Sequence, residues 1–187
     1  MRAAFESHAW YVSVSAAAAA SMAMVAQQYE VRQRGAPKVK VLLMDGGTWD
    51  PIVAQMLGAS VPDAIDESLT TFQQFLSKVA ADATVEHIVY VLVPELPNIP
   101  GVAEMRPPLR QACADSAVPC HFIDLQEVWE QGDPAQFTAS NGYLPSAEGG
   151  VAIGLFTGVA LHSLGSLREL QWEGAAPLGM VNATVLD

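Results

Sequence analysis

The chain has 187 residues, of which 51% are hydrophobic and 16% charged, a composition that suits one domain with a buried core. Its 9 Lys and Arg against 20 Asp and Glu give a formal net charge of -11, which repels phosphate backbones and anionic headgroups and so excludes nucleic acid and membrane surfaces as partners. No apolar run approaches the ~20 residues that a membrane-spanning helix needs.

Short runs rich in β-branched and aromatic residues predict four strands, at Tyr11–Ser15, Val39–Asp45, His87–Val93 and Cys120–Asp124. Segments of helical character follow them, at Ala17–Arg34, Asp63–Asp82, Met105–Ser116 and Ser146–Leu164. Three of the strands are almost continuously apolar, which is typical of parallel strands covered on both faces. We therefore predict an α/β fold with a three-layer, doubly wound, mainly parallel sheet and a ligand crevice at the carboxyl ends of its strands.

Local signals indicate where the helices begin and end. Gly35 after a basic last turn predicts the end of the first helix. Asp63 is a candidate cap for the second helix, which carries one apolar stripe: Ile65, Leu69, Phe72, Phe75, Leu76 and Val79. The paired prolines Pro107 and Pro108 predict the start of the third helix, because proline is tolerated best in a first turn.

The predicted crevice contains one carboxylate pair. Asp45 and Asp50 flank the Gly46-Gly47 turn after the second strand, so these four residues are the candidate ligand-binding set. The structural alternative is turn and cap chemistry, since aspartate readily bonds nearby backbone amides.

Histidines and cysteines give no metal or cofactor signature. His87 and His121 open two predicted strands, so we expect structural roles at the amino-terminal edge of the sheet, while His8 and His162 are isolated in sequence. Cys113 and Cys120 are seven residues apart and fit either a disulfide or two partly buried thiols. No metal site and no cofactor is expected.

Several segments resemble the signature blocks of the SGNH (GDSL-type) serine hydrolases. The second and third blocks of the family are similar to YVSVSAAAAASMAMVAQQYE and KVKVLLMDGGTWD. The middle strands of one bacterial branch are similar to IVYVLVPELPNIPGV and VPCHFIDL, and the last block is similar to NGYLPSAEGG. The resemblance covers residues 11–161 of a single 1–187 domain and leaves 165–187 as an extension of unclear role. It implies an SGNH-like (flavodoxin-like) sheet whose first family strand is missing.

The resemblance also implies positions for the catalytic groups of the family, and this sequence departs from each of them. No Gly-Asp-Ser block precedes Tyr11, Ala16 occupies the glycine position, and Trp49 the oxyanion asparagine position. In the last block, Asn141 replaces the aspartate that orients the base and Leu144 replaces the histidine base itself. We therefore expect no catalytic residues and a catalytically inactive binding or assembly module, with a small-molecule or ester-like ligand.

Two alternatives stay open. The first is a serine esterase with relocated catalytic residues, for which Ser15 with Asp50 is the candidate, beside Ser13 on the same strand. The second is that the chain is an internally started or truncated product of a longer gene. Met1–Ala26 contains no convincing export signal, although relatives are often exported, so the compartment stays open.

The absence of the first family strand predicts a gap in the sheet that another segment must fill. We expect Tyr11–Ser15 to pair with Val39–Asp45, while the run Met180–Leu186 or a second molecule is the alternative. The exposed edge that remains predicts a homo-oligomer.

Overall fold

The computed structural model describes residues 20–35 and 39–163, with only the backbone of 160–163. The chain divides into two compact units, Ser15–Thr157 and a second unit of Met1–Val14 with Gly158–Asp187. The sheet and all the sites below belong to the first unit. The predicted strands Tyr11–Ser15 and Met180–Leu186 lie outside the described residues.

The described strands form a small open parallel sheet. β1 (Val41–Met44), β2 (His87–Leu92) and β3 (Cys120–Asp124) lie in the order β1-β2-β3, and both pairings are parallel. The predicted α/β class with a parallel sheet is therefore confirmed. The order of these three strands follows the chain without the reversal that defines a doubly wound sheet.

Seven described helices surround or follow these strands. They are α1 (Met22–Gln33), α2 (Trp49–Met56), α3 (Val61–Ala81), α4 (Val102–Ala114), α5 (Gln126–Gln131), α6 (Pro134–Phe137) and α7 (Ala147–Ser163). The predicted end of α1 is confirmed, since Gly35 donates its amide to the Arg32 carbonyl. The helices α2, α5 and α6 were not predicted.

Two predicted helix starts are wrong. Ser60 rather than Asp63 caps α3, because the helix begins two residues earlier and the Asp63 amide donates to the Ser60 hydroxyl. α4 begins at Val102, so Pro107 and Pro108 lie inside it. Gly101 adopts a φ of 81°, which lets the chain enter the helix well before the prolines and moves them into its second turn.

The core lies between one face of the sheet and the long helices. The predicted stripe of α3 is confirmed, since Phe72, Phe75, Leu76 and Val79 are buried. Phe72 packs on Tyr90 of β2 with ring centroids 4.8 Å apart, and α1 adds Tyr29 edge-on to Phe75. These contacts fix α1, α3 and β2 in one apolar cluster.

A disulfide joins Cys113, at the end of α4, to Cys120, the first residue of β3. Of the two states that the sequence allowed, the structure therefore has the bonded one. None of the described helices is both long and apolar enough to cross a membrane.

Candidate functional site

The turn after β1 is built around Gly47. This residue has a φ of 86°, and a Cβ placed on it would lie 2.6 Å from the Ser68 hydroxyl. Glycine is thus required both for the backbone conformation and for the packing. The Gly47 carbonyl accepts from the Asp50 amide at 3.0 Å, which leads the chain directly into α2.

Asp50 joins this turn to the start of α1. Its carboxylate accepts a hydrogen bond of 3.1 Å from the Met22 amide, one of the first amides of the helix. Burial raises the pKa of Asp50, although the Met22 amide and the nearby Ser68 hydroxyl act in the opposite direction. Asp50 therefore caps the amino terminus of α1, in agreement with the structural alternative of turn and cap chemistry.

Asp45 lies at the exit of β1, as predicted, and its pKa is also raised by the protein atoms packed around it, although the residue keeps solvent access. Both carboxyls of the candidate ligand-binding set thus lie at the carboxyl edge of the sheet.

Tyr90 and Ser68 complete the turn, and sequence reasoning missed both. The fully buried Tyr90 hydroxyl donates to the Gly46 carbonyl at 2.7 Å, and burial raises its pKa, with the Asp45 and Asp50 charges adding to the effect. Ser68 is 2% exposed, and its hydroxyl lies close enough to Asp50 to lower the pKa of that carboxyl but makes no hydrogen bond of regular geometry with any described residue. A tyrosine inside an apolar strand was the one available signal, since a buried phenol needs an acceptor.

Three positions that the resemblance assigns to catalytic groups lie at this same edge: Trp49, Asn141 and Leu144. The Trp49 ring stacks on Tyr143 with centroids 6.3 Å apart and planes at 21°. The Asn141 side-chain oxygen accepts from the amides of Tyr143 at 2.9 Å and Leu144 at 3.2 Å. This oxygen is therefore engaged in holding its own turn. Ser13, Ser15 and Ala16 lie outside the described residues.

His87 and His121 lie at the opposite edge, at the start of β2 and β3, which confirms their predicted place. Their rings stack with a 3.4 Å contact between ring nitrogens. Burial lowers the pKa of His121, and the neighbouring His87 adds to this effect. Neither described imidazole can reach Asp50 or Asn141 across the length of the strands. His8 and the His162 side chain lie outside the described part.

A groove of about 530 Å³ opens beside the loop after β2, where it is bounded by α5 and α6. Its lining is largely apolar and includes Leu96, Ile99, Val102 and the buried Trp129, whose indole donates to Thr138 at 3.4 Å. Grooves of this size and character suit small organic ligands. The groove lies beside the carboxyl end of β2, and its lining residues were not among the predicted ones.

Charged groups fix the loops beside the groove. The side chain of Asp124 is 6% exposed and forms ion pairs with Arg106 at 3.1 Å and Arg110 at 2.7 Å. Arg106 forms a second ion pair with Glu95 at 2.5 Å. Burial alone would lower the pKa of Arg106, but the carboxylates of Glu95 and Asp124 outweigh it and raise that pKa. The network ties α4 to the ends of β2 and β3.

Among the described residues, no group of three or more His, Cys, Asp or Glu side chains is placed to hold a metal ion. Comparison with protein-family models, with curated proteins and with solved structures finds no match to this chain.

Proposed function

We propose that this chain is a catalytically inactive SGNH-hydrolase-like domain that acts as a binding or assembly module. The observation that carries the proposal is the meeting of Trp49, Asn141 and Leu144 at one edge of the sheet, where a hydrolase of this family would place an oxyanion donor, an orienting carboxylate and a base. The stack of Trp49 on Tyr143 brings the two segments together.

The chemistry of these three side chains supports inactivity. Leucine cannot accept a proton, so Leu144 cannot act as a general base. The side-chain oxygen of Asn141 already accepts two backbone amides and is not free to orient an imidazole. Trp49 has one indole donor where the resemblance implies an amide, and its ring fills the space with apolar surface.

The doubly wound architecture of the family belongs to the same proposal. The reversal of strand order belongs to the first family strand, which is missing here, and the predicted strand Tyr11–Ser15 is the candidate for the far side of β1. The parallel order of β1, β2 and β3, with a glycine turn after β1, is compatible with such a sheet.

The groove supports the binding part of the proposal. The elements around it are joined to one another, because the Arg106–Asp124 pair links α4 to β3 and Trp129 of α5 is buried. Its apolar lining, with Thr138 as a polar contact, suits an ester-like or other small organic molecule. Binding there needs none of the catalytic groups.

Incubation with short-chain nitrophenyl esters tests the proposal. We expect hydrolysis no faster than with the heat-killed protein, because the described carboxyl edge has no histidine to act as the base. The matched control adds a serine-directed inhibitor, which should change nothing.

The esterase alternative makes the opposite prediction. If Ser15 and Asp50 were catalytic, turnover would exceed the heat-killed control, disappear with the inhibitor and be abolished by Ser15→Ala. That combination of results would overturn the proposal.

A further inference from the structure

The outward face of α2 is apolar and exposed. Val53, Met56 and Leu57 are spaced three and four residues apart, so they share one side of the helix, where they are 42%, 78% and 79% exposed. The opposite side of α2 is also apolar, with Pro51, Ile52 and Ala54 buried. The exposed residues are therefore additional to those that hold the helix on the core.

The turn after α6 extends this face. Trp49 lies one helical turn before Val53, and its ring stacks on Tyr143, which is followed by Leu144. Tyr143 is 38% and Leu144 49% exposed. We call the five exposed residues the α2 surface: Val53, Met56, Leu57, Tyr143 and Leu144. Single exposed apolar residues need no explanation, but several on one helix face and on the turn stacked against its start are a candidate interaction site.

The surroundings of the α2 surface are acidic. The sequence from 41 to 77 contains five carboxylates and no Lys or Arg. Three of them, Asp63, Asp66 and Glu67, are exposed in the first turns of α3, the helix that follows α2 and packs against it. Glu67 lies near enough to Asp50 at the start of α2 to raise its pKa further. A partner therefore meets apolar side chains bordered by negative charge.

We propose that the α2 surface binds an amphipathic segment of a partner protein, with apolar residues on one face and Lys or Arg beside them. Charge complementarity selects this occupant over a second copy, because two copies would bring their acidic borders together in a chain of net charge -11. Helices of this type bind apolar surfaces through residues spaced as in α2. The inference rests on the proposed function and names the kind of partner that the module takes.

A designed helical peptide of about 18 residues of Leu and Lys, compared with its Leu and Glu counterpart, tests the inference by isothermal titration calorimetry on the full chain. We expect the Leu and Lys peptide to bind and its counterpart not to bind. Leu57→Asp should weaken binding at least about ten-fold, and Met56→Asp should do the same.

The matched control is Val31→Asp, which adds the same charge at an apolar residue of α1 that is 61% exposed. Attraction between charges alone would make all three variants bind the cationic peptide more tightly, whereas apolar docking weakens only the two variants of the α2 surface. Circular dichroism melting should show that all three fold, because the replaced side chains are exposed.

Equal effects of Leu57→Asp and Val31→Asp would overturn the inference. So would failure of the wild-type chain to bind the Leu and Lys peptide, the result expected if a second copy or another segment of the chain covers the α2 surface. Ester hydrolysis, in contrast, would overturn the proposed function and would leave peptide binding to be judged by these variants.

Discussion

Gly47 shows how one residue meets two requirements at the first turn. Its positive φ disfavours any side chain, and a Cβ there would meet the Ser68 hydroxyl at 2.6 Å. Gly58 has a similar φ of 70°, but a Cβ would meet nothing within 4 Å. A comparison of substitutions at the two glycines therefore separates the free-energy cost of the backbone conformation from that of the packing.

We expect Gly58→Ala to lower the free energy of unfolding by about 1 kcal/mol, the cost of the left-handed backbone conformation. Gly47→Ala should cost at least about 2 kcal/mol, because the displacement of Ser68 adds to the same backbone term. Urea denaturation of both variants measures the difference. Equal losses would show that the space around Gly47 is not restrictive.

Asp50 predicts a pH dependence with a definite sign. Burial raises its pKa above the ordinary value of 3.8, so the folded chain holds this proton more tightly than the unfolded chain. The stabilisation from the protonated group is complete below pH 3.8 and is lost as the pH rises through the higher folded pKa. At neutral pH, Asp50 is thus a half-buried charge that opposes folding.

We expect Asp50→Asn to raise the free energy of unfolding at pH 7, because the amide oxygen can still accept from Met22 without the buried charge. Below pH 3 the wild type and the variant should be equally stable. Urea denaturation at the two pH values measures this, with the exposed Asp66→Asn as a control that changes stability by less than about 0.5 kcal/mol. A gain that persists at low pH would contradict the assignment.

Between elements, the strongest electrostatic link is the one at the end of β3. Asp124→Asn leaves Arg106, which is 17% exposed, without its carboxylate partner on β3. We expect a loss of about 2–3 kcal/mol in the free energy of unfolding, below the range for fully buried pairs because Arg110 is 55% exposed. Chemical denaturation near pH 7 is the measurement.

The control is the exposed pair Lys40–Glu86, whose side chains are 69% and 40% accessible. Glu86→Gln should cost less than about 1 kcal/mol, because solvent screens such pairs. Similar losses for Glu86→Gln and Asp124→Asn would mean that burial does not strengthen the Asp124 network.

The elements of this fold differ in how much their sequence reveals. Continuous apolar runs mark buried parallel strands, so the sequence located β2 and β3 closely. The bounds of β3 are the predicted Cys120–Asp124, and β2 ends one residue before its predicted end. The helix α2 was missed because Gly46-Gly47 and Pro51 indicate a turn. Pro51 in fact occupies the first turn of α2, where its missing amide costs nothing.

Only the location of the candidate site, and not its contacts, could be predicted from the sequence. Parallel strands put Asp45 and Asp50 at the carboxyl edge, and the structure has them there. The contacts that define the site join residues far apart in the chain: Tyr90 donates to Gly46, 44 positions away, and Asp50 accepts from Met22, 28 positions away. No periodicity or local motif reveals such pairs.

At the scale of the whole molecule, we expect the outer side of β1 to determine how the chain associates. Among the described strands, β1 is at the border of the sheet and pairs only with β2. An open border presents unpaired amides and carbonyls, and each such group costs on the order of 1–3 kcal/mol when it is buried without a partner. We expect the predicted strand Tyr11–Ser15 to fill this border, and an edge that stays open would favour pairing with a second copy.

We therefore expect a homo-oligomer. Size-exclusion chromatography with light scattering at micromolar concentration should give a multiple of 19.9 kDa. Leu57→Asp should leave that mass unchanged, because the expected contact is between strands and not on the α2 surface. A monomer near 19.9 kDa would reject self-association while leaving the pairing of Tyr11–Ser15 with β1 to be determined.

The disulfide also affects what happens when the chain is cut. The bond closes a covalent ring through the residues between Cys113 and Cys120, of which Ala114, Asp115, Ala117 and Pro119 are exposed. A protease that cleaves inside this ring breaks the backbone but cannot separate the two fragments, because sulfur still joins α4 to β3. The nicked protein would migrate as a full-length chain on a non-reducing gel and as two pieces after reduction.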